Sequence, residues 1–278
     1  MTEITAHHGL FKDTNLHVDD TGGSGRPVVL IHGWPLSGEA FSGNVPALAA
    51  AGYRVVTYDR RGFGRSDKPH TGYTYDTLTE DLHTLLTELD LRDVTLVGFS
   101  MGGGEVARYF STYGAERLHS VVFASAVPPF MAHLPGNPEG PLEETQAATM
   151  TAQLTASSDG FYDDFTREFF SVDGVLQVTE EQRQEALALC HQASKTAALA
   201  CMAAFGHTDF RDDLTKVSVP ALVLHGDGDA TVPFEGSGRR THEALPGSQL
   251  VVLAGAPHGC NVSHAEQWNA ALLDFLAR

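Results

Sequence analysis

A motif in which glycines flank a serine is the feature of this 278-residue chain that most directly suggests catalysis. Gly98, Ser100 and Gly102 form a Gly-x-Ser-x-Gly motif immediately after the apolar run of residues 94–98 and before a helical pattern. A tight turn from a strand into a helix would expose the serine hydroxyl, and glycines on both sides suit a turn that neighbouring chains crowd. The motif therefore predicts a nucleophilic serine. The alternative is an incidental serine in a glycine-rich turn.

A serine hydroxyl is a weak nucleophile at neutral pH, so a base must accept its proton. His258 lies in an Ala-Pro-His-Gly turn after a late apolar run, and Asp229 lies in a Gly-Asp-Gly-Asp turn after the preceding run. Asp229 could accept a hydrogen bond from one ring nitrogen of His258 and leave the other nitrogen free for Ser100. Asp227 is the rival acid, and we favour Asp229. The predicted catalytic residues are Ser100, Asp229 and His258.

The other histidines and cysteines of the chain offer rival candidates, because histidine alone occurs 14 times. His32, His225 and His264 do not combine a strand-end loop with the required chain order, so we expect structural roles for them. Cys260 is read as a bystander thiol beside His258. No H-E-x-x-H motif or Cys/His cluster occurs, so the sequence predicts no metal site and no cofactor.

The negative charge that develops on an attacked carbonyl oxygen needs fixed N–H donors. The backbone N–H of Met101 is one candidate because this residue follows the nucleophile. The N–H of Trp34 is the second candidate, since it lies in an early strand-end loop and Pro35 has no N–H. The side chains predicted to contact the substrate are those of Trp34, Phe99, Phe130 and Val232.

The elements that must position these residues alternate along the chain. Short apolar runs predict buried strands at residues 27–32, 53–58, 94–98, 118–124, 221–225 and 249–253. Helical patterns lie between them at residues 75–89, 103–113 and 236–245. This alternation predicts an α/β fold with a mostly parallel, twisted sheet, whose strand ends would carry the site.

One long segment without a predicted strand interrupts this alternation. Helical patterns within it lie at residues 144–155, 161–170, 180–192 and 195–205. They predict a helical cap, residues 128–214, inserted into a core formed by residues 1–127 and 215–278. Phe161, Phe165 and Phe169 fall on one helix face, and we expect them to pack rather than to form a substrate wall.

Composition excludes several classes of partner. Lys and Arg total 18 against 35 Asp and Glu, a formal net charge of −17, which argues against nucleic acids and anionic membranes. No apolar stretch approaches the roughly 20 residues of a membrane span. Residues 1–12 lack the pattern of a secretory signal. Three scattered cysteines favour reduced thiols and a cytoplasmic location. Homo-oligomer formation stays open.

Several co-linear motifs resemble those of the α/β-hydrolase family, and in particular its cofactor-free bacterial haloperoxidases (perhydrolases), its arylesterases and related lactamases. The motifs are HGWPLSG, YDRRGFGRSDKP, GFSMGGGEVARY, TDFRDDL and HGDGDATVP, beginning at residues 32, 58, 98, 208 and 225. The resemblance implies the α/β-hydrolase fold, with the same catalytic residues and the same two N–H donors. Pro35 matches the proline of the perhydrolase members, which implies hydrogen peroxide as a second acceptor of the acyl group.

The expected function is hydrolysis of small carboxylic esters, or of lactones or lactams, through an acyl-enzyme on Ser100. A perhydrolase or haloperoxidase side activity would use hydrogen peroxide as co-substrate. A dehalogenase or epoxide hydrolase would need a carboxylate where Ser100 stands. A nucleotide-binding protein would need glycine where Asp67 ends the Gly-Phe-Gly-Arg-Ser-Asp run. The remaining alternative is a non-catalytic relative that binds a small ligand, which should lack part of the triad.

Overall fold

A computed structural model describes residues 2–6 and 13–278 of the chain. The prediction that residues 1–12 contain no secretory signal falls in part on residues 1 and 7–12, which lie outside the described residues. Within the described residues, no helix combines the length and the apolar character that crossing a bilayer requires.

The described strands build one main sheet and one small hairpin. The strands are β1 (Thr2–Ala6), β2 (Thr14–Asp20), β3 (Pro27–Ile31), β4 (Arg54–Tyr58), β5 (Val94–Phe99), β6 (Leu118–Ala124), β7 (Ser171–Val172), β8 (Val175–Leu176), β9 (Ala221–Gly226) and β10 (Gln249–Leu253). The main sheet has eight strands in the order β1-β2-β4-β3-β5-β6-β9-β10, and β7 pairs with β8. In the main sheet, the neighbouring strands β4, β3, β5, β6, β9 and β10 pair in parallel, whereas β1–β2 and β2–β4 are antiparallel.

This arrangement confirms the predicted α/β fold with a mostly parallel sheet. Every strand predicted from an apolar run is present. These strands could be recognised in the sequence because strands covered on both faces are nearly continuous in apolar residues. Strands β5 and β9, for example, are buried throughout. The antiparallel strands β1 and β2 were not predicted. Their sequences, TEITA and TNLHVDD, alternate between buried and more exposed residues, so they contain no continuous apolar run.

The helices are α1 (Val45–Ala50), α2 (Tyr75–Glu88), α3 (Gly102–Tyr113), α4 (Glu144–Ala156), α5 (Ser158–Phe169), α6 (Glu180–His191), α7 (Lys195–His207), α8 (Arg211–Leu214), α9 (Gly238–Ala244), α10 (Cys260–Ser263) and α11 (Ala265–Leu276). Helices α2, α3, α8 and α9 pack against one another in series, and α1 packs against α11. The sheet and these flanking helices enclose one apolar core.

The parallel strands bring the predicted site residues to one edge of the sheet. Ser100 follows β5, Asp229 follows β9, and His258 follows β10, with Trp34 after β3. Because the carboxyl ends of neighbouring parallel strands lie at the same edge, residues distant in sequence can meet there.

Helices α4–α7 lie between β6 and β9 in the chain and pack on one another. The buried guanidinium of Arg183 joins α6 to α5, since it lies 2.9 Å from Asp163 and donates to Thr166 Oγ1 at 2.8 Å. The division into a cap of residues 128–214 and a core stays a prediction. Helix α8, which that cap would include, packs against α3 of the core.

Candidate active site

Ser100 stands at a sharp turn between β5 and α3. Its backbone φ is +56°, in the left-handed region that ordinarily favours glycine. The flanking glycines are required by close backbone contacts: a Cβ on Gly98 would lie 2.6 Å from Gly102 O, and one on Gly102 would lie 2.5 Å from Ile31 O. The turn thus presents the Ser100 hydroxyl at the sheet edge, in the geometry of a nucleophile elbow.

Three predicted side chains form a continuous hydrogen-bonded chain at this edge. His258 Nε2 lies 2.9 Å from Ser100 Oγ, and His258 Nδ1 lies 2.6 Å from Asp229 Oδ2. All three residues are buried. A neutral imidazole in this position donates from Nδ1 to the carboxylate and can accept the serine proton at Nε2.

The carboxylate of Asp229 is held by two further groups. The backbone N–H of Val232 donates to Asp229 Oδ1 at 2.7 Å, and His225 Nε2 lies 3.3 Å from Asp229 Oδ2. Burial by itself would raise the pKa of Asp229. The charge of His258 and the hydrogen bonds from His225 and His258 outweigh burial and lower the pKa of Asp229 to about 2. The group is therefore an anion at neutral pH.

The structure separates Asp229 from the rival carboxylate. Asp227 accepts a hydrogen bond from the backbone N–H of Gly255 at 2.6 Å, so it braces the neighbouring turn. His225 is buried, as expected, but its Nε2 points towards the acid loop and donates to the carbonyl of Val232 at 2.8 Å. Its contact with Asp229 was missed, because sequence places the residue at a strand end without showing where its ring points.

The other candidate side chains serve the surrounding framework. His32 Nδ1 donates to Gly33 O at 2.8 Å, and His32 Nε2 accepts from the backbone N–H of Arg60 at 2.9 Å. Burial and the charge of Arg60 lower the pKa of His32 to about 3. Burial raises the pKa of the Cys260 thiol to about 12, and its Sγ lies 3.5 Å from Ser125 Oγ. His264 lies beside Ser263 at the start of α11.

The two predicted backbone donors lie beside the nucleophile. Met101 directly follows Ser100, and Trp34 lies in the loop after β3, where Gly33 is close enough that a Cβ on it would approach Ser100 Cβ to 3.0 Å. Among the hydrogen bonds of the described residues, neither backbone N–H has an acceptor. Both N–H groups are thus available for an anionic oxygen.

A cavity of about 390 Å³ opens over Ser100. It is lined mainly by apolar side chains, from the core loops and from the helices between β6 and β9, including those of Trp34, Val127, Met131, Phe161, Phe165 and Val232. Such a volume, apolar walls and few polar groups are typical of a small-molecule site.

Two of the predicted substrate contacts lie in this cavity and two do not. Trp34 and Val232 line it, and Trp34 Nε1 is held by the carbonyl of Ala198 at 2.9 Å. Phe99 is buried beneath the site, with its ring centroid 5.2 Å from that of His258. Phe130 is buried too and packs under the guanidinium of Arg211. Neither Phe99 nor Phe130 is among the residues that line the cavity, and their contact with a substrate stays a prediction.

The phenylalanine stripe of α5 serves two purposes. Phe169 packs edge-on against the ring of His258, with centroids 5.0 Å apart, as the packing interpretation expects. Phe161 and Phe165 pack on Trp34 at centroid distances of 6.0 Å and 5.3 Å, and both also line the cavity. Packing and the substrate wall are therefore not alternatives here.

The polar side chains that α4, α5 and the residue between them contribute to the cavity were also missed. They are Gln146, Gln153, Ser157, Asp164 and Glu168. A signal was present: Asp164 and Glu168 follow Phe161 and Phe165 by three residues each, a spacing that places them on one helix face. Over residues 2–6 and 13–278, no three histidine, cysteine, aspartate or glutamate residues are grouped to hold a metal ion.

Comparisons with known proteins agree with this geometry. The family model for the alpha/beta hydrolase fold matches residues 26–265. The chain is 43% identical over 257 residues to the non-heme chloroperoxidase CPO-A1 of Kitasatospora aureofaciens, covering 91% of this chain and 93% of that protein. It is 34% identical over 267 residues to the bifunctional esterase/perhydrolase DCH of Acinetobacter calcoaceticus, covering 92% and 94% respectively.

A solved structure is more similar still. The bromoperoxidase from Bacillus anthracis superposes with a TM-score of 0.95 at 49% identity, covering 100% of this chain and 99% of that chain. This chain belongs to the alpha/beta hydrolase fold family. Its relatives include non-heme haloperoxidases and an esterase/perhydrolase, which confirms the resemblance found in the motifs.

Proposed function

We propose that this protein is a serine esterase that hydrolyses small carboxylic esters through an acyl-enzyme. The observation that carries the proposal is the hydrogen-bonded chain from Ser100 through His258 to Asp229, with distances of 2.9 Å and 2.6 Å, at the floor of an apolar cavity. Relatives named as esterases and perhydrolases support the same reaction class.

The first half of the reaction transfers the acyl group to the enzyme. Ser100 Oγ attacks the carbonyl carbon of the ester while its proton moves to His258 Nε2, and the anion of Asp229 stabilises the imidazolium. The backbone N–H groups of Met101 and Trp34 donate to the oxyanion of the tetrahedral intermediate. His258 then protonates the departing alkoxide, so the alcohol leaves and the acyl group stays on Ser100.

The second half returns the enzyme to its starting state. Water loses a proton to His258 Nε2 and attacks the acyl carbonyl, and His258 then protonates Ser100 Oγ as it departs. The product is a carboxylic acid. If hydrogen peroxide attacks instead, the product is a peracid, which can oxidise halide ions in solution. The names of the chloroperoxidase and perhydrolase relatives support this second acceptor.

The test of the nucleophile is Ser100→Ala, assayed with p-nitrophenyl acetate. We expect turnover to fall by at least about a thousandfold, because no other group can form the acyl-enzyme. Ser263→Ala, at a half-buried serine outside the cavity, is the matched control and should retain turnover. Unchanged turnover in Ser100→Ala would sink the assignment of Ser100 as the nucleophile, whereas no turnover in the wild type would favour a non-catalytic, ligand-binding relative.

The peroxide reaction has a separate test at Pro35, which adjoins the proposed donor Trp34. If Pro35 helps to place peroxide, Pro35→Ala should change the ratio of peracid to acid formed from the same acyl-enzyme. Measuring both products at fixed peroxide concentration gives that ratio directly. If the ratio stays constant, residues other than Pro35 determine whether peroxide or water attacks the acyl-enzyme.

We also propose a cytoplasmic location. Cys190, Cys201 and Cys260 are free and buried, as thiols in a reducing compartment are. Labelling of unfolded protein freshly isolated from cells should find all of them reduced.

A further inference from the structure

The wall of the cavity opposite the sheet carries two carboxylates that the proposed chemistry does not use. Asp164 and Glu168 lie one helical turn apart on α5, and both line the cavity that contains Ser100. Both side chains are exposed to the solvent that enters the cavity.

Neither carboxylate is paired. Asp163, the neighbour of Asp164 on the other face of α5, lies 2.9 Å from Arg183 and 3.3 Å from Arg167. Within residues 2–6 and 13–278, the side chains of Asp164 and Glu168 form no hydrogen bond or ion pair, and no Lys, Arg or His lines the cavity they face. The charges of one helix are thus neutralised on its outer face and left uncompensated on its cavity face.

Glu168 is close enough to the triad to interact with it electrically. The pKa of Glu168 is raised, because partial burial of its carboxyl group and the charge of Asp229 outweigh the opposite effect of His258. An anion bound over Ser100 would therefore be repelled by the carboxylate of Asp229 and by the two carboxylates of α5. A cation in the same place would be attracted by all three.

We propose that Asp164 and Glu168 select the substrate by charge: the esterase accepts esters whose acyl group carries a positive charge or no charge, and it disfavours esters whose acyl group carries a carboxylate. This inference rests on the proposed esterase function and adds the substrate class. The same repulsion speeds the departure of the carboxylate product, which leaves the cavity as an anion.

The expected size of the effect follows from the Coulomb interaction at a solvent-accessible wall. At a separation of about 8 Å and an effective dielectric constant of about 40, one charge changes binding by roughly fivefold. The interaction also weakens as salt is added, because the Debye length falls from about 10 Å at 0.1 M to about 3 Å at 1 M.

The experiment compares three p-nitrophenyl esters of similar shape: the ester of trimethylammoniobutyric acid, its analogue with carbon in place of nitrogen, and the monoester of glutaric acid. The measured quantity is the ratio of kcat/KM for the cationic ester to that for the anionic ester. We expect wild type to prefer the cationic ester, and each of Glu168→Gln and Asp164→Asn to reduce the ratio by about 25-fold, because the loss of one carboxylate weakens binding of the cationic ester about fivefold and strengthens binding of the anionic ester about fivefold. Added salt should reduce the ratio of the wild type more than that of either variant, since each variant keeps one of the two carboxylates.

The matched control is Glu144→Gln, which removes one exposed carboxylate from α4 at a position that does not line the cavity. Its ratio should equal that of wild type. A wild-type ratio of one, or a ratio that neither Glu168→Gln nor Asp164→Asn changes, would overturn the charge selection while hydrolysis of the neutral ester still supports the esterase. Failure of wild type to hydrolyse any of the three esters would overturn both proposals.

Discussion

Polar groups have opposite surroundings in two regions of the molecule. One region is the triad edge (Ser100, Asp229 and His258), and the other is the cavity face of α5 (Phe161, Asp164, Phe165 and Glu168). At the triad edge each side chain is buried and hydrogen-bonded, and Asp229 has partners on both oxygens. On α5 the carboxylates stand exposed and unpaired among aromatic rings. Fixed partners suit a reaction that needs one geometry, whereas unpaired charges act at a distance and suit selection among ligands.

The energetic consequences differ accordingly. Removing one partner of a buried, hydrogen-bonded charge leaves the other uncompensated, so changes at the triad edge should be large. A solvated carboxylate interacts through a high dielectric, so changes on the cavity face of α5 should be modest. Three predictions test this contrast, in order of expected size.

Asp229→Asn should produce the largest effect of the three. We expect kcat to fall by about ten-thousandfold, since an amide cannot stabilise the imidazolium and favours the wrong tautomer of His258. Steady-state kinetics with p-nitrophenyl acetate measures the loss. Asp227→Asn is the control: it removes a bond to the backbone of Gly255 and should change kcat only severalfold. The reverse ranking of the two variants would transfer the role of acid to Asp227.

His225→Gln should produce an intermediate effect. It removes an imidazole that donates to Val232 O at 2.8 Å and approaches Asp229 Oδ2 at 3.3 Å. One hydrogen bond near a charged group stabilises by about 1.5 kcal/mol, so kcat should fall about tenfold. The pH–rate profile should shift as well, because a less firmly held carboxylate stabilises the His258 imidazolium less. His242→Gln, on α9 and bonded to Ser248, should leave the profile unchanged.

Phe165→Leu should produce the smallest effect on the chemistry. The ring lines the cavity and packs on Trp34, so its loss should raise KM about threefold by removing apolar contact with the substrate. We expect kcat to change less than KM. Phe275→Leu, a buried change in α11 outside the cavity, should leave KM unaltered. A fall in kcat with constant KM would mean that α5 holds the triad rather than the substrate.

Local sequence predicted the triad edge better than it predicted the cavity. The elbow around Ser100 is recognisable because glycines, serine and flanking apolar runs are adjacent in the chain, and the acid and histidine turns follow strands of the same kind. The cavity face of α5 draws on helices whose packing depends on contacts between distant segments. Phe99 and Phe130 illustrate the limit: both are aromatic, Phe99 precedes Ser100 and Phe130 precedes the cavity residue Met131, yet neither lines the cavity.

The parallel strands and the residues proposed as nucleophile, base and backbone donors could be predicted from the sequence itself, because apolar runs and tight turns are properties of short segments. Only the tertiary structure showed that His225 reaches Asp229, and that Asp164 and Glu168 line the cavity over Ser100 with no Lys, Arg or His among the described residues that line it. These outcomes depend on the direction of side chains at strand ends and on how α5 lies over the sheet. Both are set by packing among residues that are far apart in the chain.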